Sequence, residues 1–399
     1  MTISLQSSLL VPYPKGRMTD WHWLVASTAG IPLGEITNAT QRQVSFLLRD
    51  ACYASWNMDA MDPQAAMITE LQNDLLLYRG NKLMFRGRIG STQDTLGTPN
   101  AGGGGGEPDA HTVQFSAIDY RSMLGFRVIQ DPGLSYTNVD QGLIAWDIIN
   151  RSMNLPGGNW GITQGRWVSS VQRTTAQSAG TLVQGVIDDL SNLDQGFEWE
   201  IDANLKFNIW PVPTLSLYTS NGRGANNGIV LTYGDNVMAA LRSVDATYYA
   251  NDIRYAGEGS IVSTTNVVAA GIAANWGVVP QGRWTVEDSN TNITDQPTLN
   301  AAALLDLNAR SGVNPNYSMT LTHGWWNPSM LWVGDVVQVV VQHGRVNESF
   351  QGRVSQIDIY QGDAASEETT VVTVGRRMGS LLRRLPTTER KLEQIAKHA

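Results

Sequence analysis

The sequence predicts a mainly β protein with an α/β insertion, and three observations carry that prediction. Short stretches alternate apolar and polar residues between glycine-containing turns, the mark of strands that bury one face. Between Pro132 and Arg223 the apolar spacing changes to a helical period. One pentapeptide pattern (Phe, any residue, Gly, Arg, β-branched aliphatic) occurs twice. At 399 residues, 42% hydrophobic and 16% charged, the chain has the material for roughly two or three ordered domains.

In chain order, Asn73 to Gly90 (NDLLLYRGNKLMFRGRIG) reads as strand, tight turn around Gly80-Asn81, strand. His111 to Tyr120 (HTVQFSAIDY) reads as the next strand, with Val113, Phe115 and Ala117 on one face. The loop between them holds the run Gly102–Gly106. A phosphate cradle would need a helix N-terminus with Lys-Ser/Thr close behind. Here Glu107, Pro108 and Asp109 follow, then a strand, and two carboxylates repel phosphate. The glycines are slack in a long hairpin loop.

Asp140 is placed to cap a helix carrying Leu143, Ile144, Ile148 and Met153 on one face. In GTLVQGVIDDLSNLDQG, Leu182, Val183, Val186, Ile187, Leu190 and Leu193 define a second helix, with Gly196 where a C-terminal cap belongs. FEWEIDANLKFNIWP follows as a hairpin turning at Ala203-Asn204. Strands resume in GIVLTYGDNV and ALRSVDATYYANDIRYAGEG. The uncharged stretch Ser260 to Gly282 is interrupted by polar residues and glycines, so it reads as a surface loop or hairpin and not as a bilayer helix. Asp295, Pro297 and Gly312 bound a helix over 297–311. A three-stranded meander runs from Leu331 to Arg377, and a net-basic tail ends in a short helix after Pro386.

The two copies of the pentapeptide are Phe85-Arg86-Gly87-Arg88-Ile89 and Phe350-Gln351-Gly352-Arg353-Val354. Each opens the second strand of a hairpin and is followed by a third strand. Each is preceded by an acid and aliphatics, Asp74-Leu75-Leu76 and Asp335-Val336-Val337. The matching order predicts one β-fold used twice, its strand glycine marking a bulge or close approach that bends the sheet toward barrel closure.

Chemistry-bearing motifs are scarce. Cys52 is the single cysteine, so an intrachain disulfide or a cysteine-based zinc site cannot form. The N-terminal MTISLQSSLLVPYPKGR lacks the pattern of a signal peptide. His22, His111, His323, His343 and His398 show no metal-ligand spacing, and no protease, nucleotide-binding or nucleophile-elbow motif is present. Glu198 and Glu200 would share a strand face at about 7 Å, a separation that suits an inverting glycosidase. The simpler reading is a solvated face opposite buried Phe197, Trp199 and Ile201, because catalytic carboxylates normally come from different elements. The tryptophans of DWHWL and HGWWNPSMLW either present rings to a carbohydrate or anchor a core or interface, the latter being preferred. No catalytic residue, cofactor or metal is predicted. A net charge of -8 argues against a nucleic-acid binder.

Taken in order, LLLYRGNKLMFRGRIGS...VQFSAIDYRSML, VIDDLSNLDQGFEWEID, YYANDIRYAGEG and LWVGDVVQVVV...GRVSQIDI resemble a tailed-bacteriophage tail hub (baseplate hub) protein. More narrowly, the chain is similar to minor tail proteins of long-tailed phages infecting actinobacteria. The resemblance implies a structural virion protein and no enzyme: a homotrimer with two tail-tube-like β-barrels per chain, giving a ring of six similar barrels. It implies a distal tail ring or tail tube protein above, and the tape measure protein with further minor tail or fibre proteins at the tip. DNA would pass through without specific binding, with no membrane insertion, in a particle assembled in the host cytoplasm. On this reading residues 1–131 form the first barrel, 132–223 the insertion and 224–258 strands returning to the first barrel. Residues 259–378 form the second barrel and 379–399 a tail whose Arg383, Arg384, Arg390 and Lys391 dock the next tip protein. The glycine run and the Trp-rich segments lie outside the resembling pattern.

Overall fold

Alternation becomes strand along most of the chain. The computed structural model describes residues 21–375 except 96–111, 170, 194, 212–225, 245–248, 258, 260, 274–281, 290–295, 312–314 and 363–367. The glycine run and the basic tail with Arg383, Arg384, Arg390 and Lys391 lie outside the described residues. Two compact units are present. The first spans the described residues up to Ala240 and from Met319 to Val374; the second spans those from Leu241 to Ser318.

The first unit opens with β1 (Trp21–Ser27), β2 (Pro32–Glu35), β3 (Thr40–Leu47) and β4 (Tyr53–Asp59). The first predicted meander follows as β5 (Asn73–Arg79), β6 (Lys82–Thr95) and β7 (Thr112–Asp119). On β7 the buried positions are Val113, Phe115, Ala117 and Asp119, the expected face with an acid at its end. Trp56 on β4 stacks on Phe115 at 5.3 Å and meets Trp23 of β1 edge-on at 5.8 Å. Each such buried ring contributes about 1.5–3 kcal/mol by leaving water.

The insertion contains α1 (Tyr120–Met123), β8 (Leu134–Asp140), α2 (Gln141–Met153), β9 (Thr163–Gln164), β10 (Gln172–Gln177), α3 (Val183–Ser191), β11 (Phe197–Ile201) and β12 (Lys206–Pro211). Asp140 caps α2, its carboxylate accepting from the Gly142 and Leu143 amides. Ile144, Ile148 and Met153 turn inward and Leu143 outward. In α3, Val183, Val186, Ile187 and Leu190 are buried, while Leu182 and Leu193 at its ends are exposed. That helix closes at Asn192, before Gly196. Gly196 serves a different need: a Cβ there would lie 2.1 Å from the Ser191 carbonyl oxygen. The lobe's core begins earlier than Pro132, because Tyr120, Leu124 and Ile129 join it.

The chain continues through β13 (Asn226–Thr232), β14 (Val237–Ser243), β15 (Asp252–Ala256), β16 (Val262–Asn266), β17 (Thr285–Ser289), α4 (Gln296–Arg310) and β18 (Asn316–Leu321). In the second unit β15 pairs antiparallel with β16 and parallel with β17, and α4 packs over β15 and β16. Leu299, Ala303 and Leu307 recur at four-residue spacing on the buried side of α4. The uncharged stretch supplies β16, and no helix among the described residues is long and apolar enough to cross a membrane.

The second predicted meander is β19 (Val336–His343), β20 (Val346–Gln361) and β21 (Glu368–Val374). Strands run in the order β2-β1-β5-β6-β7-β4-β3-β20-β21-β18-β14, with β19 and β13 attached on β20. Both meanders therefore belong to one continuous sheet. Two separate closed barrels were expected; among the described residues the ladders form an open path, because β20 spends its second half pairing with β3.

Candidate functional site

The repeated pentapeptide sits where a long strand changes partners. In β6, residues 82–88 pair with β5 and residues 87–95 with β7. In β20, residues 346–353 pair with β19 and residues 354–361 with β21. Both ladders slip by one residue just past the changeover, between Ile89 and Ser91 and between Val354 and Gln356. Gly90 and Ser355 are the bulged residues, and a bulge redirects a strand without ending it.

The surrounding geometry repeats too. Both hairpins turn on two residues that start with a left-handed glycine, Gly80 (φ 56) and Gly344 (φ 58). Phe85 lays its ring over Gly87, whose hypothetical Cβ would sit 2.5 Å from the Phe85 Cζ. Phe350 covers Gly352 in the same way, at 3.1 Å. Only glycine admits the ring at that distance. Ahead of each meander stands a residue of positive φ, Leu71 (63) and Gly334 (97). Their amides donate to the Ile89 and Val354 carbonyls, both at 2.8 Å. Their carbonyls accept from Arg88 Nη1 at 2.9 Å and Arg353 Nε at 3.0 Å.

These contacts correct the acid alignment read from the sequence. Asp74 lies across from Arg88, but Val336, not Asp335, lies across from Arg353. The counterpart of Asp335 is Asn73. Asp335 accepts from the Trp332 amide at 2.8 Å and Asn73 from the Thr69 amide at 2.7 Å, each closing the turn before its strand.

The two arginines consequently find different acids. Asp74 is fully buried and accepts from Arg86 Nε at 2.9 Å, Arg88 Nε at 2.7 Å and the Tyr120 hydroxyl at 2.8 Å. Arg88 Nη2 donates to the same hydroxyl at 2.8 Å. Burial, then the Asp74 charge, pushes the Tyr120 phenol above its usual range, which keeps it a donor. Arg353 instead forks onto Glu198 of β11, Nη1 to Oε1 at 2.7 Å and Nη2 to Oε2 at 3.0 Å. Arg49, in the turn after β3, donates to Glu198 Oε1 at 3.0 Å. Glu198 is 1% exposed, so the expectation of a solvated carboxylate face fails there. Both sides of β11 are covered. A carboxylate held by two guanidiniums is a fastening, poorly suited to proton transfer; Glu200 is half-buried.

The tryptophans turn to protein partners. Arg79 lies 5.6 Å from the Trp21 ring and 4.5 Å from that of Trp326, which stacks on Trp332 at 6.2 Å. Glu368 pairs with Arg79 at 3.3 Å and accepts from the Trp21 indole at 2.7 Å. The Trp23 indole donates to Gln361 at 2.8 Å. They anchor the sheet, as preferred above. His22 contacts Glu35 at 2.8 Å, and His323 and His343 are exposed; His111 and His398 lie outside the described residues. Among the described residues no three His, Cys, Asp or Glu side chains gather as metal ligands. Sequence reading missed Arg49, Arg79, Tyr120 and Leu71, whose partners are distant or lie in loops.

No protein-family model matches the chain, and no curated protein sequence matches it. Solved structures do. The 43 kDa tail protein of prophage MuSo2 from Shewanella oneidensis aligns with a TM-score of 0.62 at 13% identity, covering 89% of this chain and 98% of that one. The tail protein from Neisseria meningitidis MC58 aligns at 0.62 with 8% identity, covering 90% and 97%. Prophage tail protein gp18 from Listeria monocytogenes EGD-e aligns at 0.54 with 11% identity, covering 93% and 99%. Over almost its whole length, this chain has the fold of these phage tail proteins.

Proposed function

We propose that this chain is a structural tail-tip hub of a long-tailed phage, acting as a homotrimer whose two meanders present six similar modules to a sixfold tail tube. The observation that carries the reading is the duplicated handover strand, with its turn, bulge, covered glycine and arginine repeated in one polypeptide. A chain with two like modules lets a threefold object mate with a sixfold one. DNA passes through the ring without specific binding, in keeping with the net charge of -8. A distal tail ring or tube protein lies above; the tape measure and fibre proteins meet it at the tip, within the virion. The modules are drawn from residues 1–131 with 224–258 and from 259–378, with 132–223 inserted between them. The compact unit Leu241–Ser318 straddles the proposed boundary at 258/259.

Reconstruction of the intact particle tests this. Three copies at the tail tip, with six modules around the axis, are expected. Six copies per ring would make the chain a tube or distal-ring subunit, and a monomer with glycan affinity lost in Glu198→Gln would make it a carbohydrate-active protein. Either overturns the hub. Removing residues 381–399 is expected to leave trimers intact and abolish recruitment of the distal protein, because Arg383, Arg384, Arg390 and Lys391 go with them. Complete tips on such particles would refute the docking role.

A further inference from the structure

We propose that the inserted lobe is a cross-brace that fixes the angle between the two repeated hairpins, with Arg88, Tyr120, Glu198 and Arg353 as its positioning residues. The two meanders share one sheet, but β3 and β4 separate them, so three strand-to-strand steps lie between β20 and β7. Natural sheets twist by about 10–35° at each step, so three steps leave the relative angle open over tens of degrees. The β3–β4 ladder is also irregular, with a register shift between Thr40 and Gln43 and a left-handed Gln41 (φ 49). Backbone pairing alone does not set this angle; the Arg79–Glu368 and Trp23–Gln361 contacts tie outer strands of the sheet together, and the lobe adds the ties made at the repeats themselves.

The lobe spans that spacer. Its first residue, Tyr120, is bonded to both Arg88 and Asp74 in the first meander. Its strand β11 is bonded through Glu198 to Arg353 in the second. Arg49 brings the β3–β4 turn to the same carboxylate. Both points sit on one continuous core that includes Tyr120, Phe197 and Trp199, so a movement at either is carried to the other. The same arginine of each copy of the repeat is thus used to grip one lobe, at two points joined by Arg121, which follows Tyr120 and donates to the Trp199 carbonyl, next to Glu198, at 2.7 Å. The fork on Glu198 fixes direction as well as distance.

This inference rests on the hub reading for its purpose, a set angle between neighbouring modules of a ring, but its test does not. Nitroxides are placed at the exposed hairpin tips, Asn81→Cys and Arg345→Cys, in a Cys52→Ser background. Labelled chain is diluted into unlabelled chain so that only distances within one copy are read. One narrow distance is expected, broadening at least about twofold in Glu198→Gln as minor orientations become populated. Arg353→Lys keeps the charge but loses the fork, and is expected to broaden the distance to an intermediate degree; it carries the test if Glu198→Gln fails to fold. An unchanged distribution in a folded variant overturns the brace. A broadened one in a chain that never forms trimers supports the brace and removes the hub.

Discussion

The two meanders are copies that solved the same problem with different acids. In the first, Arg88 meets Asp74 directly across the ladder, and the hairpin neutralises its own buried charge. In the second, Val336 occupies that place and the charge of Arg353 is met by Glu198, 155 positions away in the chain. The first hairpin therefore carries the acid that its repeat arginine pairs with, while the second receives one only when the insertion docks. Duplicated modules need not duplicate their stabilising contacts, and the contact that differs is the one free to join modules together.

The largest expected effect tests that asymmetry directly. Asp74→Ala leaves Arg86 and Arg88 buried without their shared carboxylate, and it should cost about 3–5 kcal/mol in urea unfolding. Asp335→Asn keeps an acceptor for the Trp332 amide and should cost under about 1 kcal/mol. Equal losses would mean that Asp74 and Asp335 are equivalent after all.

Next in size is the glycine under each phenylalanine. A Cβ at position 87 would lie 2.6 Å from the Ile118 carbonyl oxygen, which is backbone and cannot step aside. At position 352 the obstacles are Val374 Cγ1 at 2.6 Å and the Phe350 ring, both side chains. Gly87→Ala should cost about 2–3 kcal/mol or more and Gly352→Ala about 1 kcal/mol. Thermal unfolding of the two single variants ranks them, and the reverse order would show that the first hairpin is the more yielding.

The repeat was legible because its determinants are consecutive: ring, glycine, arginine and aliphatic side chain lie within five residues. The strands of both meanders, both hairpin turns and helices α2 to α4 were legible for the same local reason, whereas β1 to β4 and β8 to β10 were not read from the sequence. What failed was whatever depends on loop length or on distant partners. The loop into β5 carries Gln72 between the left-handed residue and Asn73, whereas Gly334 is followed directly by Asp335, and that one residue moved the acid alignment. Glu198 was read as solvated because alternation presumes one wet face, yet β11 is packed on both. Arg353 was visible as part of a motif, but nothing near it in sequence names its partner.

A smaller effect concerns the residues that open each meander. Leu71 and Gly334 hold the same left-handed turn and the same two hydrogen bonds, but only one is glycine. A side chain in that region costs about 1–2 kcal/mol, partly offset by the extra freedom glycine has when unfolded. Gly334→Ala should destabilise by about 1 kcal/mol, and Leu71→Gly should stabilise by about 0.5 kcal/mol. Opposite signs measured by denaturant midpoint would support one shared turn geometry. Two losses would mean that the Leu71 side chain has a role of its own despite its exposure.

The last contrast is in pH response. Asp119 ends β7 of the first meander, where its carboxylate accepts from the Cys52 amide at 2.9 Å and from the Ser122 amide and hydroxyl at 3.0 and 2.7 Å. Burial nevertheless holds its pKa above the ordinary 3.8, and the bonds from Cys52 and Ser122 and the charge of Arg121 only partly oppose that. A raised folded value means that the folded state holds the proton more tightly. The stabilisation from that proton is complete below 3.8 and is lost as pH rises through the raised value. Asp119→Asn has no proton to lose but keeps an acceptor for the Ser122 amide. Relative to the variant, the unsubstituted chain should therefore lose stability as pH climbs from 3.8 through the raised value. Asp188, shifted upward by burial in the same direction, contributes equally to both proteins and cancels from the difference. Urea midpoints for the pair at closely spaced pH values measure the slope. A difference that stays flat with pH would mean that Asp119 is ionised in the fold at ordinary cost, with its bonds to Cys52 and Ser122 fully compensating burial.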